Sequence, residues 1–412
     1  MTSPARQESL RTRNLSLVLN QIAGAAEPVS RADVAAATGL TRATVSALVD
    51  VLIEGGLVGE LEPRKTRPTG RPATGLVLAD DRAAGLGLEI SVDYIAACVI
   101  DLAGGIRYQE VVQQDQRGRN PHEVLSTVAD MAATAITAAE RLDLTVAGAG
   151  VAVPGLVDKG LLRLAPNLSW RDVHISSLLA RTGALDGLAI TVDNEANFAA
   201  LGELRMDRGA APTDFLHVSG EIGVGAGIVM GGALFRGEHG WSGEIGHMAV
   251  GMDGPPCQCG AHGCLEQVAG QEAILRAAGL PLRAATSMGG QATVGRIVQA
   301  AEAGHSQTLA ALRQAGRALG ITIAGAIKLL DIGCVVLGGI YAPLGPWIQP
   351  EVQREVDLRV LSSSWSPVRV RISLAGTDAS VLGAASSVIR AIIDDPSTWL
   401  RRWKSSIDGN RS

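Results

Sequence analysis

Three cysteines fall within eight residues, Cys257-Gln-Cys259-Gly-Ala-His-Gly-Cys264, and His247 stands ten residues ahead of the first. The chain has only five cysteines in 412 residues, so general cysteine content does not account for the cluster. Three thiolates and one imidazole close a tetrahedral zinc site, and closed sites of this kind are structural. Two competing readings are three buried free thiols, and His262 replacing His247 as the fourth ligand. Glu244-Ile-Gly-His247 precedes the cluster and Leu265-Glu266 follows it, so carboxylates flank the metal knot.

The first sixty residues carry a different pattern. Leu15, Leu17, Val18, Leu19 and Ile22 give residues 11–23 one apolar helical face. Ser30-Arg-Ala-Asp33 reads as an N-cap with an acid at the third position, opening a short helix that stops at Gly39. Thr41 caps a third helix over residues 42–53, with Val45, Leu48, Val49 and Leu52 on one face. Two short helices joined by a glycine turn form a helix-turn-helix. Residues 57–60 and 74–78 then supply the two strands of a wing. Between them, Arg64, Lys65, Arg67 and Arg71 give four positive charges with no acid over residues 63–72.

From about residue 82 the texture becomes α/β: apolar strands with glycine turns, alternating with helices. Strands are expected over 85–90, 95–100, 106–113 and 146–153, with a helix over 121–142. A second strand pair starts at Phe215, and a long helix over 309–330 leads into the strand 334–339. Aromatic residues are only 3% of the chain, so aliphatic side chains and alanine must fill its cores. The chain ends in a polar tail from Asp394 that is expected to fray.

Charge narrows the partners. The net charge of −5 excludes a generally basic nucleic-acid coat, yet residues 1–75 hold nine Lys/Arg against seven Asp/Glu. Contact with DNA is therefore expected to be local. A recognition helix offers its exposed N-terminal residues to base edges in the major groove. Here these are Thr41, Arg42, Thr44 and Ser46, with Arg42 suited to guanine. Arg64, Lys65, Arg67 and Arg71 would meet phosphates. The Gly70-Arg71-Pro72 step fits either a narrow minor groove or a solvated linker. The opening residues, Met-Thr-Ser-Pro-Ala-Arg-Gln-Glu, lack the apolar core expected of a signal peptide, the most apolar long stretch is broken by Lys328 and Asp331, and the cysteines lack a paired framework. The expectation is a cytoplasmic protein with no membrane partner.

The run Gly240-Trp-Ser-Gly-Glu244-Ile-Gly-His247, followed by Cys-x-Cys-x4-Cys-Leu-Glu266, resembles the ROK family of repressors and sugar kinases. The resemblance covers about residues 10–390 and is strongest to the xylose-repressor branch. It implies a winged helix-turn-helix over 1–80, and a two-lobed actin-like domain of the ribonuclease H and sugar kinase type over 81–393. The polar tail, 394–412, lies beyond. It also implies a sugar site. Pro166-Asn167-Leu168-x-Trp170 is similar to a loop closing over the sugar, and Asp193-Asn194-Glu195 to a segment opening a helix. With Glu244, His247 and Glu266 these give six ligands for hydroxyl groups: Asn167, Asn194, Glu195, Glu244, His247 and Glu266. His247 would serve metal and sugar through different ring nitrogens.

The chain departs from the family's kinases in three places. Their first phosphate turn, Asp-x-Gly-Gly-Thr, is here Glu89-Ile-Ser91-Val92-Asp93. The second, Gly-Thr-Gly, is Gly220-Glu221-Ile222-Gly223. Two like charges at ~4 Å repel by roughly 4 kcal/mol at an effective dielectric of ~20, so Glu221 opposes a phosphate. The third is Glu195, which stands where the kinases carry the aspartate that takes the sugar's proton. A misplacement of about 1 Å costs on the order of a hundredfold in rate. The resemblance thus implies a repressor of operator DNA, not an enzyme, answering to an aldose (xylose first, then glucose or another). One zinc per chain and a homodimer or dimer of dimers complete the expectation. Its alternatives are a residual sugar kinase with a DNA module, a regulator controlled by a partner protein, and an activator.

Overall fold

The computed structural model describes residues 4–61, 74–206, 212–281 and 290–409. Its first helix, α1 (Pro4–Ala23), starts well before Arg11, because Pro4 suits a first helical position and Ala5, Arg6, Gln7 and Glu8 are good helix formers. In α2 (Arg31–Thr38) the Ser30 side chain accepts from the Asp33 amide at 3.2 Å. Asp33 in turn accepts from the Ser30 amide at 3.0 Å, closing the capping box. Thr41 caps α3 (Arg42–Glu54), whose Val45, Leu48, Val49 and Leu52 are buried against Leu15, Val18, Leu19 and Val34. Strands β1 (Val58–Leu61) and β2 (Gly75–Leu78) pair antiparallel with Val58 opposite Leu78, making the wing. Arg64, Lys65, Arg67 and Arg71 lie outside the described residues.

Two lobes follow. The first has β3 (Ala83–Ile90), β4 (Tyr94–Asp101), β5 (Ile106–Gln113), helix α4 (Pro121–Glu140) and β6 (Thr145–Val153). A small antiparallel sheet of β7 (Leu156–Asp158), β8 (Leu161–Ala165) and β9 (Trp170–His174) comes next. Helix α5 (Ile175–Ala180), β10 (Ala189–Asn194) and α6 (Glu195–Met206) complete the lobe. The second lobe opens with β11 (Phe215–Gly220), β12 (Val224–Met230) and β13 (Ala233–Leu234). Helices α7 (Glu266–Ala269), α8 (Gln271–Ala277), α9 (Gly290–Glu302) and α10 (Ser306–Leu330) lead to β14 (Cys334–Gly339). Helix α11 (Gly345–Arg359), β15 (Arg369–Ile372), α12 (Ala379–Asp394) and α13 (Pro396–Gly409) end the described chain.

The main sheets repeat one plan. Strand order is β10-β6-β3-β4-β5 in the first lobe and β13-β12-β11-β14-β15 in the second. In each, an antiparallel hairpin opens the lobe, one later strand joins its first strand in parallel, and a second joins that one in parallel. This is the duplicated α/β plan of the actin-like, ribonuclease H-like fold. Both hairpins aim their turns, residues 91–93 and 221–223, at the cleft between the lobes. Leu86, Leu88, Ile90 and Val151 fill the first core, and Val218, Leu319, Ile323 and Val335 the second, aliphatic as the composition requires.

Helix α12 joins the pieces. It lies against β3, β6 and α6 with backbone touching backbone. A Cβ on Gly383 would fall 1.7 Å from the Phe198 carbonyl oxygen, and one on Gly150 2.3 Å from that of Ala384. Its far end receives a hydrogen bond from Asn20 Nδ2 of α1 to the Ile393 carbonyl, 3.3 Å.

The polar tail expected to fray from Asp394 is instead the helix α13, seated on the winged helix. Trp399 is 4% and Leu400 8% exposed. Trp399 Nε1 donates to the Gly55 carbonyl at 2.9 Å, and Ser397 pairs with Thr12 at 3.2 Å. Trp399 and Trp403, one turn apart, stack with centroids 6.2 Å apart, and Arg82 lies over Trp403. The abundance of polar residues hides this apolar face, which is set by only three side chains. Trp399→Ala should destabilise the protein by about 3–5 kcal/mol in urea unfolding. Trp399→Phe, losing mainly the hydrogen bond, should cost about 1 kcal/mol.

Candidate ligand cleft and metal centre

Four ligand atoms converge in the second lobe. The thiols of Cys257, Cys259 and Cys264 and a His247 ring nitrogen all lie within 4.8 Å of one another, a group that could hold a metal ion. Cys259 Sγ is 3.7 Å from Cys264 Sγ, and Cys257 Sγ is 3.7 Å from His247 Nδ1. A tetrahedral ion with metal–sulfur bonds of ~2.3 Å needs sulfur–sulfur edges of about 3.8 Å, so the donors fit one. His262 is exposed and outside the group. Local pairing folds the knot: Cys257 N donates to the Ala261 carbonyl at 2.8 Å, and Ala249 bridges Cys264. None of the five cysteines is in a disulfide.

The knot forms one wall of a cavity of about 220 Å³ at the lobe junction. Asn167, Asn194, Glu195, Glu244, His247 and Glu266 all line it, with the metal-cluster thiol Cys259. His247 turns Nδ1 to the thiols and Nε2 to Glu244, 4.0 Å from its Oε2. Glu266 opens α7 and is 8% exposed. Gly223 leaves room beside it, since a Cβ there would sit 2.6 Å from Glu266 Oε2 and push that carboxyl aside.

Other residues act by positioning. Asn194 donates to the Gly155 carbonyl at 2.9 Å and accepts from the Ala196 amide at 2.8 Å, so much of its capacity goes to the β10–α6 turn. Asp193, not singled out by the sequence reading for a role, holds that turn: it accepts from Asn194 N at 2.8 Å and Asn197 Nδ2 at 2.9 Å, and pairs with Arg236. Leu168 and Trp170 are buried in the first lobe's core, and Trp170 Nε1 donates to the Arg119 carbonyl at 2.9 Å. They anchor the loop, and Asn167 alone of the three reaches the cavity. The apolar wall of Leu156, Leu164, Ala165 and Val224 also escaped the sequence reading, having no polar motif to mark it.

Behind this cavity the two hairpin turns bring carboxylates together. Burial, then repulsion from Glu89, Asp93, Glu244 and Glu266, pushes Glu195 up to about 8. Burial lifts Glu89 to about 7 against the hydrogen bond it accepts from Tyr94 Oη at 2.9 Å. Glu221 is raised well above the usual carboxylate range by burial and by Glu195 and Glu89. Asp93 is raised by burial too. Crowded together these groups cannot all ionise, and they offer a phosphate no positive charge.

At the other end of the molecule, Arg42 is exposed at the start of α3 and has no hydrogen-bond or ion-pair partner among the described residues. Thr41 and Thr44 bond each other at 2.8 Å, and Ser46 is half-buried. Arg31 is committed to Asp50 and Glu60, at 2.6 and 2.8 Å, tying α2 to α3 and to the wing. Among the described residues no single helix is long and apolar enough to cross a membrane.

Residues 85–391 match the ROK family model, and residues 12–67 match that of the MarR family. The xylose repressor of Caldicellulosiruptor bescii is 28% identical over 89% of this chain and 93% of its own length. That of Bacillus subtilis is 29% identical over 95% and 98%. A crystal structure of a ROK family transcriptional regulator, described as a homolog of the E. coli MLC protein, aligns with a TM-score of 0.75. It covers 96% of this chain and 98% of that one, and at 22% identity it speaks to the fold alone.

A carboxyl whose folded pKa exceeds its unfolded value binds protons more tightly in the folded state, so its burial lowers stability as pH rises. For Glu195 that loss runs from about 4.5 to about 8. Glu195→Gln should therefore melt higher than the parent at pH 8, and the gap should close towards pH 5 in thermal unfolding.

Proposed function

The chain belongs to the ROK family, and we propose that it is a transcriptional repressor which holds operator DNA through its winged helix and releases it when an aldose fills the 220 Å³ cavity. One observation carries this reading. Six side chains with groups suited to binding hydroxyls line a single cavity, while both turns that would cradle a phosphate carry carboxyl groups. Binding is retained and phosphoryl transfer is not, so the protein is not an enzyme. The xylose repressors among its relatives make xylose the first candidate, with glucose or another aldose behind it.

The residues divide the work. Glu195, Glu244 and Glu266 accept from sugar hydroxyls, Asn167 and Asn194 donate with their remaining N–H groups, and His247 Nε2 faces the ligand. A buried polar group left without its partner costs about 1–3 kcal/mol, so an aldose lacking one hydroxyl is discriminated against. Three thiols and one imidazole form a donor set that suits zinc. It would hold His247 in one tautomer, with Nδ1 on the ion and Nε2 free for the sugar.

Operator contact falls to Thr41, Arg42, Thr44 and Ser46, with Arg64, Lys65, Arg67 and Arg71 of the wing on phosphates. Two copies would set two recognition helices about 34 Å apart on a palindrome. The signal would run from the cavity along α6 to α12, which touches the winged helix at Asn20 and through α13. Moving occupancy from nearly full to nearly empty requires the sugar to prefer one state by about 5 kcal/mol.

Fluorescence anisotropy of labelled DNA from the chain's own upstream region, titrated with protein and a panel of aldoses, tests this. Release by one sugar at sub-millimolar level is the expected result; tight binding that no sugar disturbs would move control to a partner protein. Arg42→Ala should weaken the complex by roughly ten- to a hundredfold, the worth of one bidentate base contact. Elemental analysis should find one zinc per chain, and Cys257→Ser should lose most of it along with sugar affinity.

A further inference from the structure

A second, larger cavity of about 380 Å³ lies between the lobes. The first lobe and α12 line it with Glu89, Tyr94, Val111 and Val381; the second lobe adds Glu221, Gln271, Val294, Val298 and Ile340. Gln113 and Thr377 add uncharged polar groups, and Ala96 and Pro343 further apolar ones. Three carboxylates reach it, from Glu89, Glu221 and Asp378, and no lysine, arginine or histidine lines it. Gln271 is only 4% exposed, and its side-chain amide has no hydrogen-bond partner among the described residues. The Glu221 carboxylate likewise has none. A buried polar group without a partner costs free energy that an incoming hydrogen-bonding ligand recovers.

We propose that this cavity is a binding site for an organic monocation, an amine carrying a compact aliphatic body. The ammonium group would lie against Glu221 and Glu89, and the hydrocarbon against Val294, Val298, Ile340 and Val381. Gln271 would accept or donate at the rim of the charged end. No base lines the cavity to hold an anion, and each acid that ionises there would repel one. A bare divalent ion fits less well, because among the described residues the one group of three or more His, Cys, Asp or Glu side chains with ligating atoms within 4.8 Å of one another is His247 with the three clustered cysteines. Carboxylates too far apart to chelate can still surround a larger cation. Burial and mutual repulsion raise Glu89 and Glu221, and a positive charge between them relieves both. A ligand seated here contacts both lobes, and this assignment does not depend on the sugar reading.

The test is isothermal titration of the full chain with cyclohexylammonium chloride, with cyclohexanol as the neutral partner of the same shape. The amine is expected to bind one per chain, at least ~10-fold more tightly than the alcohol, the scale of one charge-assisted hydrogen bond. Glu221→Gln should remove that preference. Gly295 lines the cavity, and a Cβ there meets nothing within 4 Å. Gly295→Leu should therefore fold, with an unchanged circular dichroism spectrum, and block the amine. The proposal is overturned by no heat from the amine, by equal affinity for the alcohol, by displacement with adenosine or ATP, or by unaltered binding in Gly295→Leu.

Discussion

Backbone contact between α12 and its neighbours is the constraint on which the rest of the molecule hangs. At Gly383 and Gly150 no side chain separates the helix from α6 and the first-lobe sheet, so neither surface slides without opening a void. Interiors packed at this density pass displacement on rather than absorb it. Helix α6 begins at Glu195 in the cavity wall, and α12 ends on Asn20 and α13. The ligand cleft and the DNA module are thus joined by rigid pieces, and coupling between them needs no flexible relay.

Much of this was legible in the sequence where a residue type has one dominant use. The capping box at Ser30 and Asp33, the Thr41 cap and the apolar stripe of α3 rest on local hydrogen bonds and periodicity, which the chain spells out directly. The cysteine cluster was readable for a similar reason: few arrangements use three thiols and an imidazole at that spacing. The first helix ran longer than its apolar stripe, since propensity alone carries it back to Pro4. Helix α13 was missed because its face depends on a distant partner. Trp399 finds its acceptor at Gly55, 344 positions away, and no local pattern reports that.

The cleft teaches the same division. Sequence motifs marked the polar side chains, yet they did not reveal that Asn194 spends its amide on the β10–α6 turn or that Trp170 anchors a loop from beneath. Nor did they mark Gln271, a buried amide left without a partner. Carrying acids, Asp93 and Glu221, where the kinase turns have threonine changed more than charge. It left Glu89, Asp93, Glu195 and Glu221 sharing a poorly hydrated space where all four cannot ionise together at low cost.

Helix α13 has a consequence for modularity. The winged helix is built from residues near the start of the chain but roofed by Trp399 and Leu400 from near its far end. It is therefore not a bead on a string. Recombination that grafted only the first eighty residues onto another sensor would expose an apolar seat and discard its cover. A functional exchange has to carry both ends of the chain together, so reader and sensor in this architecture are inherited as a single piece.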